Sequence, residues 1–248
     1  NLSGSRVYDG TTDAAASDLS LGNLVSGENI SLSGTGTLGS AAVGSQTITN
    51  IGSLAISDGS SSASNYSLTG ALSMAITKRP VTVTGSKFYD GTTDAAASNL
   101  TSFTNLVSGE TLSLSGNGSV ASSAVGSNKS VSHQTLALAN GSGAASNYSL
   151  GNVTININKR ILSLDGIRAF DGNTTVSSSD ISTFGNIVSE ESLTLSGSGT
   201  VTNANAGMNK SLTLGSLSLS DGSGNASNYT LSGLSLIHIS EPTRHRYI

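Results

Sequence analysis

Short segments in which apolar and polar residues alternate recur along the whole chain. Val81 to Thr84 alternates with a period of two, Leu112 to Ser115 does the same, and Val153 to Asn158 extends the pattern over a longer stretch. This period is typical of β-strands that bury one face, and turns containing glycine bound most of the segments. The pattern predicts an all-β chain with about six or seven short strands in each repeated segment.

One motif sets the phase of the chain. Tyr8-Asp9-Gly10 returns as Tyr89-Asp90-Gly91 and, with a different aromatic residue, as Phe170-Asp171-Gly172, at a spacing of 81 residues each time. Asp accepts hydrogen bonds from its own local backbone and Gly tolerates positive φ, so the Asp-Gly pair predicts a turn after the first strand of each repeat. A second motif marks the later part of each repeat, at Asn65-Tyr66, Asn147-Tyr148 and Asn228-Tyr229.

The regular spacing predicts three tandem modules rather than one large domain. We expect small Ig-like β-sandwich modules at residues 1–79, 80–160 and 161–233, the first beginning inside its first strand and the third lacking its native last strand. No Gly/Ser linker separates them. Pro80 restricts its own φ and keeps Arg79 extended, which predicts short, stiff junctions and an elongated rod.

An alanine-rich run leaves a second architecture open. Asp13 to Ser17 is compatible with a single helical turn. A helix of two or more turns near Asp13 to Leu19, packed on the sheet of every repeat, would instead indicate β-grasp-like modules.

Residues 234–248 depart from the repeat. Leu234 to Arg244 is similar to the in-frame translation of a transposase-type sequencing adapter, so we expect residues 234–248 to be an adapter-derived artefact at the end of a metagenomic fragment. His238 and His245 then carry no function. Leu234 to Ile239 nevertheless alternates well enough to occupy the last strand of the third module.

Composition narrows the functional classes. Charged residues make up 10% of the chain and the net charge is −4, whereas disorder is favoured by high charge with low hydrophobicity. The chain has no Cys, so no disulfide and no thiolate metal site can form. The 11 Lys and Arg residues form no cluster, which argues against nucleic-acid binding. No apolar run approaches the roughly 18 to 20 residues that a membrane helix requires.

The aromatic residue of the turn motif has two interpretations. Tyr8, Tyr89 and Phe170 are expected to be core aromatics that pin the turn onto a sheet, where a hydroxyl can bond to the backbone. The alternative is an exposed aromatic contact for a glycan or a protein partner. Because Phe170 lacks a hydroxyl, the structural interpretation is preferred, and no catalytic role for the tyrosines is predicted.

The recurring charged and amide residues also have structural and functional interpretations. Asp9, Asp90 and Asp171 are expected to form turns, with a calcium site as the alternative because hard cations prefer clustered oxygen ligands. An ion pair within each module is conceivable because glutamates and basic residues recur at equivalent positions; these are Glu28, Glu110 and Glu191 with Arg6, Lys87 and Arg168. The Asn-x-Ser/Thr sequences at Asn65, Asn147 and Asn228 leave surface glycosylation open. His133 has no counterpart in the other repeats, and we predict no catalytic, cofactor-binding or metal-binding residue.

This set of motifs resembles the YDG domain and the related MBG domains of large bacterial surface proteins over residues 1–233. The resemblance implies a giant adhesin similar to filamentous haemagglutinins, exported by two-partner secretion in Gram-negative bacteria and located outside the cell or on its surface. It implies no catalytic residue. We therefore expect a non-catalytic structural stalk in which each repeat contacts its neighbours in the same chain. The alternative is that the modules bind a host glycan or matrix protein through exposed turns.

Overall fold

A computed structural model of the protein describes residues 1–232 and 236–241. This part of the chain contains 25 β-strands and six three-residue 3-10 turns, with no α-helix. None of its helical segments is long and apolar enough to cross a membrane. The prediction of an all-β chain is confirmed.

The first repeat contributes strands β1 to β8. Their bounds are β1 Leu2–Val7, β2 Asp13–Ala15, β3 Leu19–Leu21, β4 Ile30–Ser33, β5 Thr35–Leu38, β6 Gly44–Asn50, β7 Ala55–Asp58 and β8 Ser73–Thr77. Six of them form a sheet in the order β2-β5-β6-β8-β1-β3, while β4 and β7 form a separate antiparallel pair. Strand β1 runs parallel to β8 and antiparallel to β3. The first strand of the repeat therefore lies between its last strand and a short edge strand.

The second repeat contributes β9 to β16 with the same strand order. Their bounds are β9 Arg79–Phe88, β10 Asp94–Ala96, β11 Ser102–Thr104, β12 Leu112–Ser115, β13 Asn117–Val120, β14 Gly126–Ser132, β15 Ala137–Asn140 and β16 Tyr148–Asn158. The sheet order is β10-β13-β14-β16-β9-β11, with β12 and β15 paired separately. Val81 and Val83 of β9 and Val153, Ile155 and Ile157 of β16 are all buried. The period of two seen in the sequence thus places one face of each strand in the core.

The third repeat contributes β17 to β25. Their bounds are β17 Arg160–Ala169, β18 Thr175–Ser177, β19 Ile181–Gly185, β20 Leu193–Ser196, β21 Ser198–Val201, β22 Gly207–Thr213, β23 Ser218–Asp221, β24 Tyr229–Leu231 and β25 Leu236–Ser240. The sheet order is β18-β21-β22-β25-β17-β19, β24 also pairs with β17, and β20 pairs with β23. Strand β25 lies parallel to β17 and antiparallel to β22. The alternating residues after the third repeat therefore form its last strand. The remainder of the adapter-like segment, residues 234–235 and 242–248, lies outside the described residues.

The alanine-rich run is mostly strand rather than helix. Asp13–Ala15 forms β2, and only Ala16–Asp18 forms a 3-10 turn; the equivalent turns are Ala97–Asn99 and Ser178–Asp180. Ala14 is fully buried and opposes Gly36 in the sheet, so core packing determines the conformation of this segment. The longer helix required by a β-grasp architecture is not present at these positions. These three-residue edge strands also raise the strand count above the six or seven predicted, since they are too short to show a periodic pattern.

Contacts divide the chain into two compact units, and the division passes through the second repeat. One unit contains Asn1–Thr84, Ala96–Gly118 and Ser132–Val153, and the other contains Gly85–Ala95, Ser119–Val131 and the chain from Thr154 onward. Each unit therefore contains one junction between successive repeats.

Candidate functional site: the junction between successive repeats

The first junction is built around a glutamate that accepts two tyrosine hydroxyls. Tyr8 lies just after β1 and donates to Glu110 Oε1 at 2.6 Å, while Tyr148 at the start of β16 donates to Glu110 Oε2 at 2.6 Å. The two rings meet edge to face, with centroids 5.4 Å apart and planes at 80°. Tyr8 is 5% exposed and Tyr148 is 1% exposed. The turn motif of one repeat is thus held by the following repeat, in an arrangement we name the Tyr–Glu–Tyr clasp.

The second junction repeats this geometry with different residues. Tyr89 and Tyr229 each donate to one oxygen of Glu191, both at 2.5 Å. Their ring centroids are again 5.4 Å apart with planes at 80°. Hydrogen bonds to an ionised acceptor are shorter and stronger than bonds between neutral groups. The clasp therefore combines aromatic packing with charge-assisted hydrogen bonds in both units.

The receiving side of each clasp is organised by a tight turn before the paired strand. In repeat 2, Glu110 N–H donates to Val107 O at 3.0 Å, and Val107 N–H donates to the Tyr148 hydroxyl at 3.1 Å. In repeat 3, the equivalent bonds join Glu191 to Val188 and Val188 to Tyr229. The tyrosine hydroxyl therefore accepts from the backbone and donates to the carboxylate. We call the glutamate, the tyrosine and the preceding asparagine of each receiving repeat the socket.

The asparagine of the socket also bonds to the preceding repeat. Asn147 Oδ1 accepts from Val43 N–H at 3.1 Å, and Asn228 Oδ1 accepts from Val125 N–H at 3.0 Å. Both asparagines are buried, at 8% and 5% exposure. A glycan on either amide is incompatible with this packing, so the structure argues against surface sugar, which the sequence leaves open, at these two positions.

An arginine at the start of each junction completes the contact. Arg79 donates through Nε to Asn105 O at 2.7 Å, through Nη2 to Asn105 Oδ1 at 2.9 Å, and through Nη1 to Tyr8 O at 3.2 Å. Arg160 makes the same three bonds to Asn186 and Tyr89 O. The guanidinium has a fixed fork of donors, and this fork spans two repeats here.

The Asp-Gly turn has the conformation that the sequence predicts. Asp9 Oδ1 accepts from Thr11 N–H at 2.9 Å, and Asp90 Oδ1 accepts from Thr92 N–H at the same distance. Gly10 has φ +81°, and a Cβ placed on it would lie 2.9 Å from Val107 Cγ1. Gly91 has φ +78°, and a Cβ placed on it would lie 3.1 Å from Val188 Cγ1. Glycine is therefore required both by the backbone conformation and by the contact with the next repeat.

The recurring basic residues pair with the aspartate of the turn and not with the glutamate. Arg6 forms an ion pair with Asp9, Lys87 Nζ lies 2.9 Å from Asp90 Oδ1, and the third repeat has the equivalent Arg168 and Asp171 at 3.0 Å. Among the described residues, the pairing with glutamate that the sequence leaves open is not formed, and at the two junctions the tyrosines occupy that carboxylate. Burial opposes ionisation of Asp90, but hydrogen bonds from Lys87 and Thr92 outweigh it and lower the pKa of this carboxyl.

The clasp tyrosines are held in their protonated form. Burial, together with the hydrogen bond to Glu191, raises the pKa of Tyr89 to about 12. Burial and the bond to Glu110 likewise raise the pKa of Tyr148 to about 12. A neutral hydroxyl that donates to a carboxylate is a poor nucleophile or base at neutral pH. The arrangement is suited to holding two repeats together.

The turn of the third repeat and the socket of the first repeat take part in neither junction. Phe170 occupies the place of Tyr8 and Tyr89 and is 42% exposed. Tyr66, in the socket of the first repeat, bonds to Glu28 and is partly exposed, and Asn65 beside it is exposed. Asp171 and Gly172 form the same turn, with Asp171 Oδ1 accepting from Asn173 N–H at 2.9 Å. The turn and the socket are thus formed by side chains that the sequence singled out. A turn and a socket meet only where one repeat is followed by the next.

Sequence reasoning identified the repeated motifs but missed the partners of the tyrosines. Glu110, Glu191, Asn105 and Asn186 were not predicted to contact another repeat. Their recurrence at the period of 81 residues was a usable signal, since an unpaired carboxylate beside an apolar strand requires a donor. Among the described residues, no group of three or more His, Asp or Glu side chains has an arrangement that would hold a metal ion.

Comparison with known protein families identifies the family of these repeats. A family model described as the YDG domain matches residues 2–74, 76–155 and 162–236. The chain belongs to the YDG domain family. No curated protein and no solved structure matches the chain significantly. The three matched segments follow the three YDG repeats in order, and each junction described above joins one YDG repeat to the next.

Proposed function

We propose that this chain is a structural stalk segment of a secreted or surface-anchored bacterial adhesin and that it has no catalytic activity. The observation that carries the proposal is the use of the defining motif. At both junctions the tyrosine of the Tyr-Asp-Gly turn and the tyrosine of the Asn-Tyr pair donate to one shared glutamate. The asparagine of the pair accepts from a backbone N–H of the preceding repeat. Side chains that bond to a neighbouring repeat are not free to bind a ligand. Their main effect is to fix one YDG repeat on the next.

The proposed stalk is a series of three small YDG modules. Within each module, we infer that the large sheet is strongly curled and packs against the separate strand pair as a sandwich-like core. Its edge strands β2 and β3 lie at opposite ends of a six-stranded sheet. A flat sheet would separate them by about 24 Å, yet only Ala16–Asp18 connects them, and four residue steps span at most about 14 Å.

The proposed location is outside the cell or on the bacterial surface, in a Gram-negative organism. Its support is the resemblance of the motifs to repeats of large exported adhesins, together with a composition poor in charge and free of Cys. A repeat that is stabilised by packing and by a buried hydrogen-bonded junction needs no disulfide after export.

A second candidate function is ligand binding by the modules themselves. It is favoured by exposed aromatic side chains, since Phe88 is 57% exposed and Phe170 is 42% exposed. Aromatic faces at turns are suitable contacts for a host glycan or a matrix protein.

The binding experiment separates the two functions. The full chain is tested against host glycan arrays and purified matrix proteins by calorimetry. The stalk proposal predicts no saturable binding. Saturable binding that is lost when Phe88 and Phe170 are replaced by Ser would overturn the stalk proposal and support the alternative.

A further inference from the structure

We infer that the socket of the first repeat, formed by Glu28, Asn65 and Tyr66, is a docking site for the Tyr-Asp-Gly turn of another YDG repeat. This inference rests on the proposed stalk function, because it names the partner by which the stalk would be extended. The supporting observation is that the equivalent sockets of the second and third repeats each hold the turn of the preceding repeat.

The first-repeat socket has the conformation of the filled ones. Val25 N–H donates to the Tyr66 hydroxyl at 3.1 Å and Glu28 N–H donates to Val25 O at 3.0 Å, as in the two occupied junctions. Asn23 has φ +66°, the value shared by Asn105 and Asn186. The site is therefore preorganised, and binding would not have to pay for ordering it.

The first-repeat socket differs from the other two because no turn tyrosine bonds to its glutamate within the described residues. Glu28 Oε2 accepts from Tyr66, and within residues 1–232 and 236–241 its Oε1 has no hydrogen-bond donor, whereas Oε1 of Glu110 and Glu191 accepts from a turn tyrosine. Asn65 is exposed, although its equivalents are buried against the backbone of the preceding repeat. In the filled sockets, the turn tyrosine of the preceding repeat donates to the glutamate, and a backbone N–H of the same repeat donates to the asparagine.

The surface beside the socket also has room for the junction arginine. A cavity of about 310 Å³ is lined by Asn23, Leu24, Asn65 and Tyr66 among other residues. Asn23 corresponds to Asn105 and Asn186, which receive the guanidinium groups of Arg79 and Arg160. The expected partner is therefore a YDG repeat that carries both a tyrosine in its turn and an arginine at its end. The Phe170 turn of a second copy of this chain supplies neither hydroxyl nor a following arginine, because position 241 is Glu.

The test is the chemical reactivity of Tyr66. An extended chain is made in which residues 1–81 are joined ahead of Asn1, which keeps the repeat period, and the added segment carries Tyr66→Phe so that a single Tyr66 is reported. Nitration of the tyrosines by tetranitromethane is followed by peptide mass spectrometry. In the unmodified chain, Tyr66 should react several-fold faster than Tyr148 and Tyr229. In the extended chain, its rate should fall to that of Tyr148.

Two control variants of the extended chain distinguish docking from unspecific covering. Tyr8→Ala in the added segment and Glu28→Gln in the native socket should each restore much of the reactivity of Tyr66, with the fold checked by circular dichroism. Equal nitration of Tyr66 in the unmodified and extended chains would overturn the inference. Protection of Tyr66 in the unmodified chain that grows with protein concentration would also overturn it, by showing that a second copy fills the socket. Neither outcome depends on ligand binding, so failure here is distinguishable from failure of the stalk proposal.

Discussion

The hydroxyl of Tyr8 lies 2.6 Å from the carboxylate of Glu110, although 102 positions separate the two residues in the chain. The second junction has the same pair, Tyr89 and Glu191, at the same separation in sequence. Each glutamate also accepts from a second tyrosine of its own repeat, so three side chains meet at each junction. We infer that this clasp stabilises one repeat on the next.

Replacing the shared glutamate should weaken the first junction. Glu110→Gln removes the charge that two buried hydroxyls donate to and leaves one acceptor oxygen in place of two. Hydrogen bonds to charged groups contribute about 1.5 to 3 kcal/mol, so we expect the free energy of unfolding to fall by about 2 kcal/mol. Urea unfolding followed by circular dichroism measures the change. Glu28→Gln is the matched control, since within the described part of the chain the Glu28 carboxylate accepts from the partly exposed Tyr66 alone, and its cost should stay below about 1 kcal/mol.

The glycine of the turn offers a second comparison. Gly91→Ala must place a Cβ at φ +78° and about 3.1 Å from Val188 Cγ1. Gly172→Ala has nearly the same φ, +76°, but a Cβ there would have no atom of the described residues within 4 Å. The left-handed conformation costs about 1 to 2 kcal/mol for Ala in both. We expect Gly91→Ala to be clearly more destabilising than Gly172→Ala in thermal unfolding; equal losses would show that the junction does not press on Gly91.

Alkaline pH should loosen both junctions. The folded protein raises the pKa of Tyr89 and Tyr148 to about 12, above the ordinary value of 10. Above about pH 10, the unfolded chain gives up these protons first, so it binds fewer protons than the folded chain and stability falls with rising pH. The stabilisation is complete below pH 10 and is lost as the pH approaches about 12. Urea midpoints measured across this range should decline, and Tyr89→Phe should flatten the decline. A midpoint independent of pH in this window would contradict the assignment of buried, hydrogen-bonded hydroxyls.

The fork of the junction arginine should not tolerate lysine. Arg160→Lys retains the positive charge but cannot reproduce three bonds to Asn186 and Tyr89 O from one planar group. We expect a loss of about 1 to 2 kcal/mol in unfolding free energy. Lys159→Arg, at the exposed neighbouring position, is the control and should be within about 0.5 kcal/mol of the wild type. The two variants are compared by the same denaturant titration.

The sequence was sufficient to predict the longer strands, the period and the turn. Alternation in β9 and β16 identifies their buried faces, and Asp90-Gly91 indicates its turn by residue type alone, because these signals are local. The architecture of the sheet was harder to predict. The parallel pairing of β1 with β8 joins the two ends of a repeat, and no short-range pattern reports such a pairing.

The clasp could be predicted only in part, for the same reason. The recurrence of Glu110 and Glu191 was visible, but the choice of partner was decided by burial. Arg6 and Lys87 form ion pairs with the aspartate three residues later, which leaves the glutamates for the tyrosines. Because Phe170 lacks a hydroxyl, it argued against a role for the tyrosine hydroxyl in the other two repeats. Phe170 occupies an exposed turn, however, and the described residues place no glutamate carboxylate there for a hydroxyl to bond.

The most direct test of the central claim is a double-mutant cycle on Tyr89 and Glu191. The free energy of unfolding is measured for the wild type, Tyr89→Phe, Glu191→Gln and the double variant. The account predicts a coupling energy of at least about 1 kcal/mol, as found for residues that share a hydrogen-bond network. If the two single losses add to the double loss within about 0.3 to 0.5 kcal/mol, the two side chains act independently and the clasp does not hold the repeats together.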